Sequence, residues 1–344
     1  MNLKLSDGHP APVDLVDPFG RVVKDLRISI TDRCNFRCTY CMPAEGMQWV
    51  PRHDLLSFEE IERISKVCVE HFGFTGIRLT GGEPTVRAHL PILVERLARL
   101  TVPGSDEPID LAMTTNGATF GLMAHELRAA GLRRVNISID SLHADRFKEL
   151  TRRDEMHRVL DGIAAAQAAG FDPVKLNVVL MRGVNDDEII DFARFGRDNN
   201  LGVRFIEFMP LDADHGWTNE QVVSQDEIVE RINEVFPIEA IERGNAPAER
   251  FRYLDGHGDI GVIPSVTKPF CGTCDRVRLT AEGQFRTCLF SVEEFDLRAI
   301  VRGDGSDDDL AAEIARAVGT KWAGHAINQV HFIRPARSMS QIGG

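Results

Sequence analysis

Three features of this 344-residue chain predict an α/β fold, an incomplete (β/α)6 TIM-type barrel with a smaller C-terminal α+β domain closing its open side. Between about residues 25 and 236, six β-rich runs alternate with segments of helical period, the pattern of parallel strands joined by helices. Beyond Pro237 the runs shorten and the long helical spacers disappear. The residues that carry chemistry gather just after the β-rich runs, at the end of a barrel where active sites are built.

The runs are residues 26–30, 77–79, 109–114, 134–138, 174–180 and 203–208. Ser57-Phe58-Glu59-Glu60 reads as a capping box. It opens a helix that sets Phe58, Ile61, Ile64, Val67 and Cys68 on one face, which makes Cys68 a small buried apolar residue. Ser224 and Glu227 repeat the device before Ile228 and Ile232. Gly131 and Gly170 stand where helices should stop. After Pro237, residues 251–254, 260–263, 277–279 and 284–288 read as short antiparallel strands, and 307–318 as a helix. The expected division is therefore 1–237 for the barrel and 238–344 for the second domain. The charged stretches 243–250 and 304–309 read as solvated surface.

Composition narrows the class of function. A hydrophobic fraction of 43% and a charged fraction of 27% are ordinary for a globular protein. The net charge of −12 argues against a general nucleic-acid binder, which needs a positive field, so an anionic ligand has to be held by local cationic clusters. Residues 1–10 hold no signal-like apolar core, and no apolar run is long enough to span a bilayer. A cytoplasmic location is expected, and its reducing conditions suit free thiols.

Six of the seven cysteines form two triplets: Cys34, Cys38 and Cys41 in a C-x3-C-x2-C loop, and Cys271, Cys274 and Cys288 in C-x2-C-x13-C. Iron–sulfur cubanes are normally held by four thiolates. Three thiolates leave one iron open, and an open iron can bind a reactant. Structural zinc and disulfide staples are the alternatives, and the C-x2-C of the second triplet is also a zinc spacing. His257 and His325 are not assigned as ligands.

The segment C-N-F-R-C-T-Y-C-M-P, followed by Leu79-Thr80-Gly81-Gly82-Glu83-Pro84, resembles the radical S-adenosylmethionine (SAM) superfamily. Leu26-Arg27-Ile28-Ser29-Ile30-Thr31-Asp32, Thr114-Thr115-Asn116-Gly117, Asn136-Ile137-Ser138-Ile139-Asp140, Arg204-Phe205-Ile206-Glu207-Phe208-Met209 and Phe270-Cys271-Gly272-Thr273-Cys274-Asp275-Arg276-Val277-Arg278 resemble the GTP 3′,8-cyclase family of molybdenum cofactor biosynthesis. That resemblance implies two 4Fe–4S clusters, one binding SAM at Cys34, Cys38 and Cys41, the other facing the substrate at Cys271, Cys274 and Cys288. It implies SAM contacts at Tyr40, Gly82, Ser138 and Met209, where the residues alone allow a packing aromatic, a strand-end cap and a core filler. Gly81 and Gly82 would let backbone approach the bound methionine.

For GTP the resemblance implies contacts at Arg27, Arg78, Thr114, Lys175, Arg276 and Arg278. Arg27, Arg78 and Lys175 alternate into apolar strands, where a charge facing the core would be costly, so they should face the lumen. Many relatives carry lysine two residues before the Arg78 position, where this chain has Gly76. The paired glycines Gly343 and Gly344 match a family tail that reaches the active site.

The chemistry so implied is a 5′-deoxyadenosyl radical that abstracts hydrogen from C3′ of GTP, attack on C8, and formation of 3′,8-cyclo-7,8-dihydro-GTP. A reducing electron donor, a downstream cyclic pyranopterin monophosphate synthase and a homodimer are the expected partners. A radical SAM peptide-modifying enzyme with an auxiliary cluster is the rival function, and a non-enzymatic iron–sulfur or zinc module the rival class.

Overall fold

A computed structural model describes residues 11–212, 214–330 and 332–343. The signal-free reading of residues 1–10, and Gly344 of the tail, lie outside these described residues.

All six expected strands form, their ends moved by two residues at most: β1 (Asp25–Ser29), β2 (Gly76–Thr80), β3 (Asp110–Thr115), β4 (Arg134–Ser138), β5 (Val174–Leu180) and β6 (Leu201–Glu207). They pair in parallel in chain order. Helices α1 (Phe58–Lys66), α2 (Leu90–Ala98), α3 (Ala124–Ala129), α4 (Ala144–Thr151), α5 (Met156–Ala168) and α6 (Ile189–Asp198) connect them. The capping box at Ser57 is present in both directions, and α1 runs on through a π-helical turn at Val67–His71 that buries Cys68. Ser224 accepts from Glu227 N at the start of α7 (Gln225–Val235). Gly131 (φ 106°) and Gly170 (φ 83°) follow α3 and α5 in the left-handed region, closing them as expected.

Period-2 alternation sorts the strands into two faces. Leu26, Ile28, Ile77, Leu79, Leu111, Met113, Val135, Ile137, Leu176 and Val178 are buried against the apolar faces of the helices. Arg27, Arg78, Thr114, Asn136 and Lys175 occupy the opposite, concave face and are half-buried.

The C-terminal chain departs from expectation. An additional strand, β7 (Ile238–Ile241), precedes β8 (Glu249–Tyr253), β9 (Asp259–Ile263), β10 (Arg276–Leu279), β11 (Gln284–Arg286) and β12 (Phe295–Asp296). β9 pairs parallel with β6, and β10 pairs parallel with β1, rather than antiparallel. Ile260, Val262, Val277 and Leu279 continue the buried face, so the exposed edges of β1 and β6 are covered by strands with the same alternation. The sheet order is β12-β11-β10-β1-β2-β3-β4-β5-β6-β9-β8-β7, with eight consecutive strands parallel and antiparallel hairpins only at its ends. The strand expected over 284–288 stops at Arg286, which leaves Cys288 in a turn. Three helices follow: α8 (Leu297–Arg302), α9 (Asp307–Val318) and α10 (Met339–Ile342). Residues 243–250 are not free surface, because Ala248 is buried and Asn245 O accepts from Arg276 Nη2 at 3.2 Å.

Candidate active site

The first cysteine loop leaves the C-terminal end of β1 and is clamped from below by the end of β2. Gly82 N donates to Thr31 O at 2.7 Å and Glu83 N to Arg33 O at 2.8 Å. A Cβ on Gly81, whose φ is +148°, would overlap Thr31 O, and one on Gly82 would overlap Arg33 O and Asp32 O. The two glycines are thus required by the cysteine loop's own backbone, a nearer cause than the approach to methionine expected from the sequence.

Glu83, 1% exposed, holds this end of the sheet together. Its carboxylate accepts from Thr85 N and Oγ1, from Thr115 Oγ1 at 2.6 Å and from Asn116 N at 2.7 Å. Burial still raises its pKa. Asn116 in turn donates to Asn35 Oδ1 at 2.7 Å and reaches Cys34 Sγ at 3.8 Å. Burial, with Glu83 adding to it, pushes the Cys34 thiol up to about 11, and burial with Cys34 beside it pushes Cys41 up to about 12. Such thiols give up their protons to a metal rather than to water.

Of the expected SAM residues, Tyr40 donates its phenol to Asp140 Oδ2 at 2.6 Å, while Asp140 Oδ1 accepts from Val179 N at 2.8 Å. Burial lifts Asp140 to about 6 despite those two donors. Ser138 ends β4, half-buried on the concave face, and Met209, just past β6, packs against the Leu211, Val266 and Phe290 cluster.

The cationic residues form a row. Register places Arg27 opposite Arg278 on one side and Arg78 on the other. Neighbouring strands lie roughly 4.8 Å apart, so three guanidinium groups crowd one band of the lumen. Arg27 Nε, Arg78 Nε and Nη1, and Arg278 Nε are buried without a hydrogen-bond partner. Burial, then repulsion from Arg27, pushes Arg78 down to about 10 and Arg278 down to about 9. Lys175 is pushed down to about 8 by burial and by Arg204 and Arg134. Buried donors with nothing to donate to mark a place for an anion. Arg276 is better satisfied, with Asp275 at 3.4 Å and the Phe270 ring at 4.9 Å. At Gly76, where the resemblance implies lysine, a Cβ would come 2.9 Å from Asp25 Oδ2, so a side chain there would require the Asp25 carboxylate to turn aside.

The second triplet lies at the other end of the same strands. Cys271 and Cys274 precede β10, and the antiparallel β10–β11 hairpin returns the chain so that Cys288 reappears beside Cys274. The thirteen-residue spacing is that hairpin. Burial raises Cys271, whereas at Cys274 burial is outweighed by Arg276, Lys321 and Arg278, which bring the thiol below its ordinary value. Since β1 and β10 run parallel, the triplets sit at opposite ends of a paired strand roughly 15 Å long, with the arginine row between them. All seven cysteines are free. Among the described residues no three Cys, His, Asp or Glu side chains converge on one ion-sized point; each triplet offers three free thiols, the donor type that iron–sulfur clusters take.

The tail enters this lumen. Ser338 and Gln341 cap α10 reciprocally, Ser340 and Ile342 are buried, and Ser340 Oγ approaches Met47 Sδ at 3.2 Å. Gly343 lies against Ser29 and Thr80, with φ +80° and no room for a Cβ beside Thr80 Oγ1.

Glu83, Asn116, Asp140 and Glu207 stand inside the sequence motifs, yet their roles emerge only from the hydrogen bonds that the fold brings to them. Glu207, fully buried at the end of β6, accepts from Gln225 N at 3.1 Å, from Val266 N and Thr267 N at 2.8 Å, and from Thr267 Oγ1. It ties the C-terminal chain to the barrel.

A partial barrel with a C-x3-C-x2-C loop at its mouth defines a radical SAM enzyme, and the chain matches the Radical SAM superfamily over residues 28–196 and the Molybdenum Cofactor Synthesis C family over 201–327. It is 49% identical to the GTP 3′,8-cyclase of Streptomyces coelicolor over 334 residues, covering 96% of both chains. It is 45% identical to that of Mycolicibacterium smegmatis (97% and 94% covered) and 46% identical to that of Rhodopirellula baltica (98% and 95%). The chain belongs to the GTP 3′,8-cyclase family. Streptococcus suis SuiB bound to S-adenosylmethionine shares the fold, with a TM-score of 0.57 at 13% identity over 78% of this chain and 61% of that one.

Proposed function

We infer that this chain is a GTP 3′,8-cyclase, which joins ribose C3′ of GTP to guanine C8 and gives 3′,8-cyclo-7,8-dihydro-GTP for molybdenum cofactor biosynthesis. Unpartnered guanidinium nitrogens on Arg27, Arg78 and Arg278, between two free cysteine triplets, carry the reading. When bound, two 4Fe–4S clusters and S-adenosylmethionine supply the 5′-deoxyadenosyl radical that starts the reaction.

In this proposal Cys34, Cys38 and Cys41 hold the SAM cluster, and Tyr40, Gly82, Ser138 and Met209 contact SAM. Cys271, Cys274 and Cys288 hold the cluster that faces the substrate. Arg27, Arg78, Arg278 and Lys175 hold the triphosphate, with Thr114 and Arg276 placing the nucleoside. Arginine forks match phosphate oxygens, and an anion among them compensates the burial and the mutual repulsion that lower their pKa values. Asp140 fixes Tyr40, and Glu83 with Asn116 fixes the Cys34 side of the loop. Gly343 fills the mouth and excludes water, and Gly344 is assigned to the same tail by the resemblance alone. With the reactants held, restricted geometry supplies the selectivity for one C–H bond.

The division at 237/238, an external electron donor, a downstream cyclic pyranopterin monophosphate synthase, a homodimer and a cytoplasmic setting belong to the same proposal. No helix among the described residues is long and apolar enough to cross a membrane. The test is anaerobic incubation of reconstituted protein with SAM, reductant and GTP. Cyclised nucleotide is expected, and SAM cleavage without it would refute the assignment.

A further inference from the structure

Lys321 lies 3% exposed just beyond α9, inside the second cysteine region. Its Nζ donates to Arg276 O at 2.7 Å and to Thr287 O at 2.5 Å. Arg276 stands two residues after Cys274, and Thr287 directly before Cys288. One ammonium therefore ties the turn of the first two cysteines to the turn of the third.

Two carbonyls satisfy hydrogen bonds but leave a full positive charge uncompensated. Among the described residues, the hydrogen-bond partners of Lys321 Nζ are these two carbonyls and no carboxylate. Arg21 shows the contrast. It grips the same region through Cys271 O at 2.6 Å, Trp322 O at 2.5 Å and Ala323 O at 3.0 Å, yet it brings its own anion, Asp17, at 2.5 Å. Buried cations are paired or costly. The negative groups that favour the charged form of Lys321 are the sulfurs of Cys274 and Cys288, which oppose the lowering caused by burial.

We propose that Lys321 is a positioning residue whose counter-ion is the anionic cluster held by Cys271, Cys274 and Cys288. It fixes the gap between the two cysteine turns and raises the cluster's reduction potential. The inference rests on the two-cluster reading above. Three thiolates outweigh the charge of an oxidised cubane, and each electron added makes the group more negative. A cation buried beside it therefore favours the reduced form, net charge being one of the factors that set such potentials.

The test uses full-length protein, anaerobically reconstituted, in a Cys34→Ser, Cys38→Ser, Cys41→Ser background so that the second cluster is read alone. Lys321→Gln keeps two N–H donors for the two carbonyls and removes the charge, whereas Lys321→Arg keeps the charge. Iron content, thermal unfolding and an EPR-monitored redox titration are compared with the Lys321 parent. A loaded Lys321→Gln protein with its midpoint shifted negative, and Lys321→Arg closer to the parent, is the expected result. Selective loss of iron in Lys321→Gln that Lys321→Arg restores would support the same conclusion. An unchanged midpoint in loaded Lys321→Gln, or equal iron loss in both variants, would overturn it. A parent protein that binds no iron at the second triplet would instead refute the two-cluster reading.

Discussion

Arg78 stands opposite Arg27 on neighbouring parallel strands, with two of its guanidinium nitrogens buried and unpartnered. Two cations so placed repel one another until an anion arrives, and the band they share with Arg278 lies between the strand ends that carry the two cysteine triplets. Removing one of them should cost substrate and not structure. For Arg278→Ala, cyclised product should fall to background while both clusters remain loaded and some uncoupled SAM cleavage persists. Arg276→Ala, whose side chain also holds Asn245 and Phe270, should lose product as completely. Wild-type product formation by both variants would show that the substrate lies elsewhere.

Separate ligand sets should give separable clusters. Replacing Cys34, Cys38 and Cys41 together should abolish SAM cleavage and leave iron at the second triplet, measured by iron analysis and EPR. Stoichiometric zinc retained at Cys271, Cys274 and Cys288 would be inconsistent with the assignment.

Lys175 supplies a pH dependence. Its pKa is lowered to about 8 by burial and by Arg204 and Arg134. The cationic form that can hold a phosphate is complete below that value and is lost as pH rises through it. The KM for GTP should therefore rise above about pH 8 with a much smaller change in kcat, and Lys175→Met should start with a raised KM and flatten the profile between pH 7 and 9.

At Gly343 a methyl group would meet Thr80 Oγ1, and the left-handed backbone there disfavours any side chain. Gly343→Ala should therefore lift the tail out of the lumen. Product should drop sharply while the melting temperature moves by no more than ~4 °C, since α10 is short and the strain is local. Deleting Gly343 and Gly344 should behave alike. An unaltered turnover number in both proteins would make the tail's position irrelevant to the chemistry.

Glu207 tests the joint between barrel and C-terminal chain. Truncation to alanine leaves four donors buried and unpaired, each at ~1–3 kcal/mol. A loss of roughly 4 kcal/mol or more in denaturant unfolding is expected, with Glu207→Gln milder. A cost below about 1 kcal/mol would mean that water satisfies those donors.

The strands and both triplets were legible because their signals are local: alternation within six residues, and thiols a few positions apart. What resisted reading was pairing over long separations. Nothing in Arg276-Val277-Arg278-Leu279 states that its neighbour is Asp25-Leu26-Arg27-Ile28, some 250 residues earlier, and two short runs beside turns read more naturally as a hairpin. The strand at Ile238–Ile241 was hidden by its two exposed positions, Glu239 and Ala240. Buried polar residues were unreadable for a related reason. Glu83, Asp140, Glu207 and Lys321 look like surface residues until the backbone donors and acceptors that surround them are brought together by the fold.

The pairing of β10 with β1 also sets an order of events during synthesis. The first strand is made early, but the neighbour that covers its outer edge is not complete until Leu279 has left the ribosome. Through that interval the nascent chain carries an open row of backbone donors and acceptors, backed by Leu26 and Ile28, of the kind that invites pairing with other chains. A chain stopped before Arg276 would keep that edge permanently, so early termination produces a sticky fragment rather than a smaller barrel.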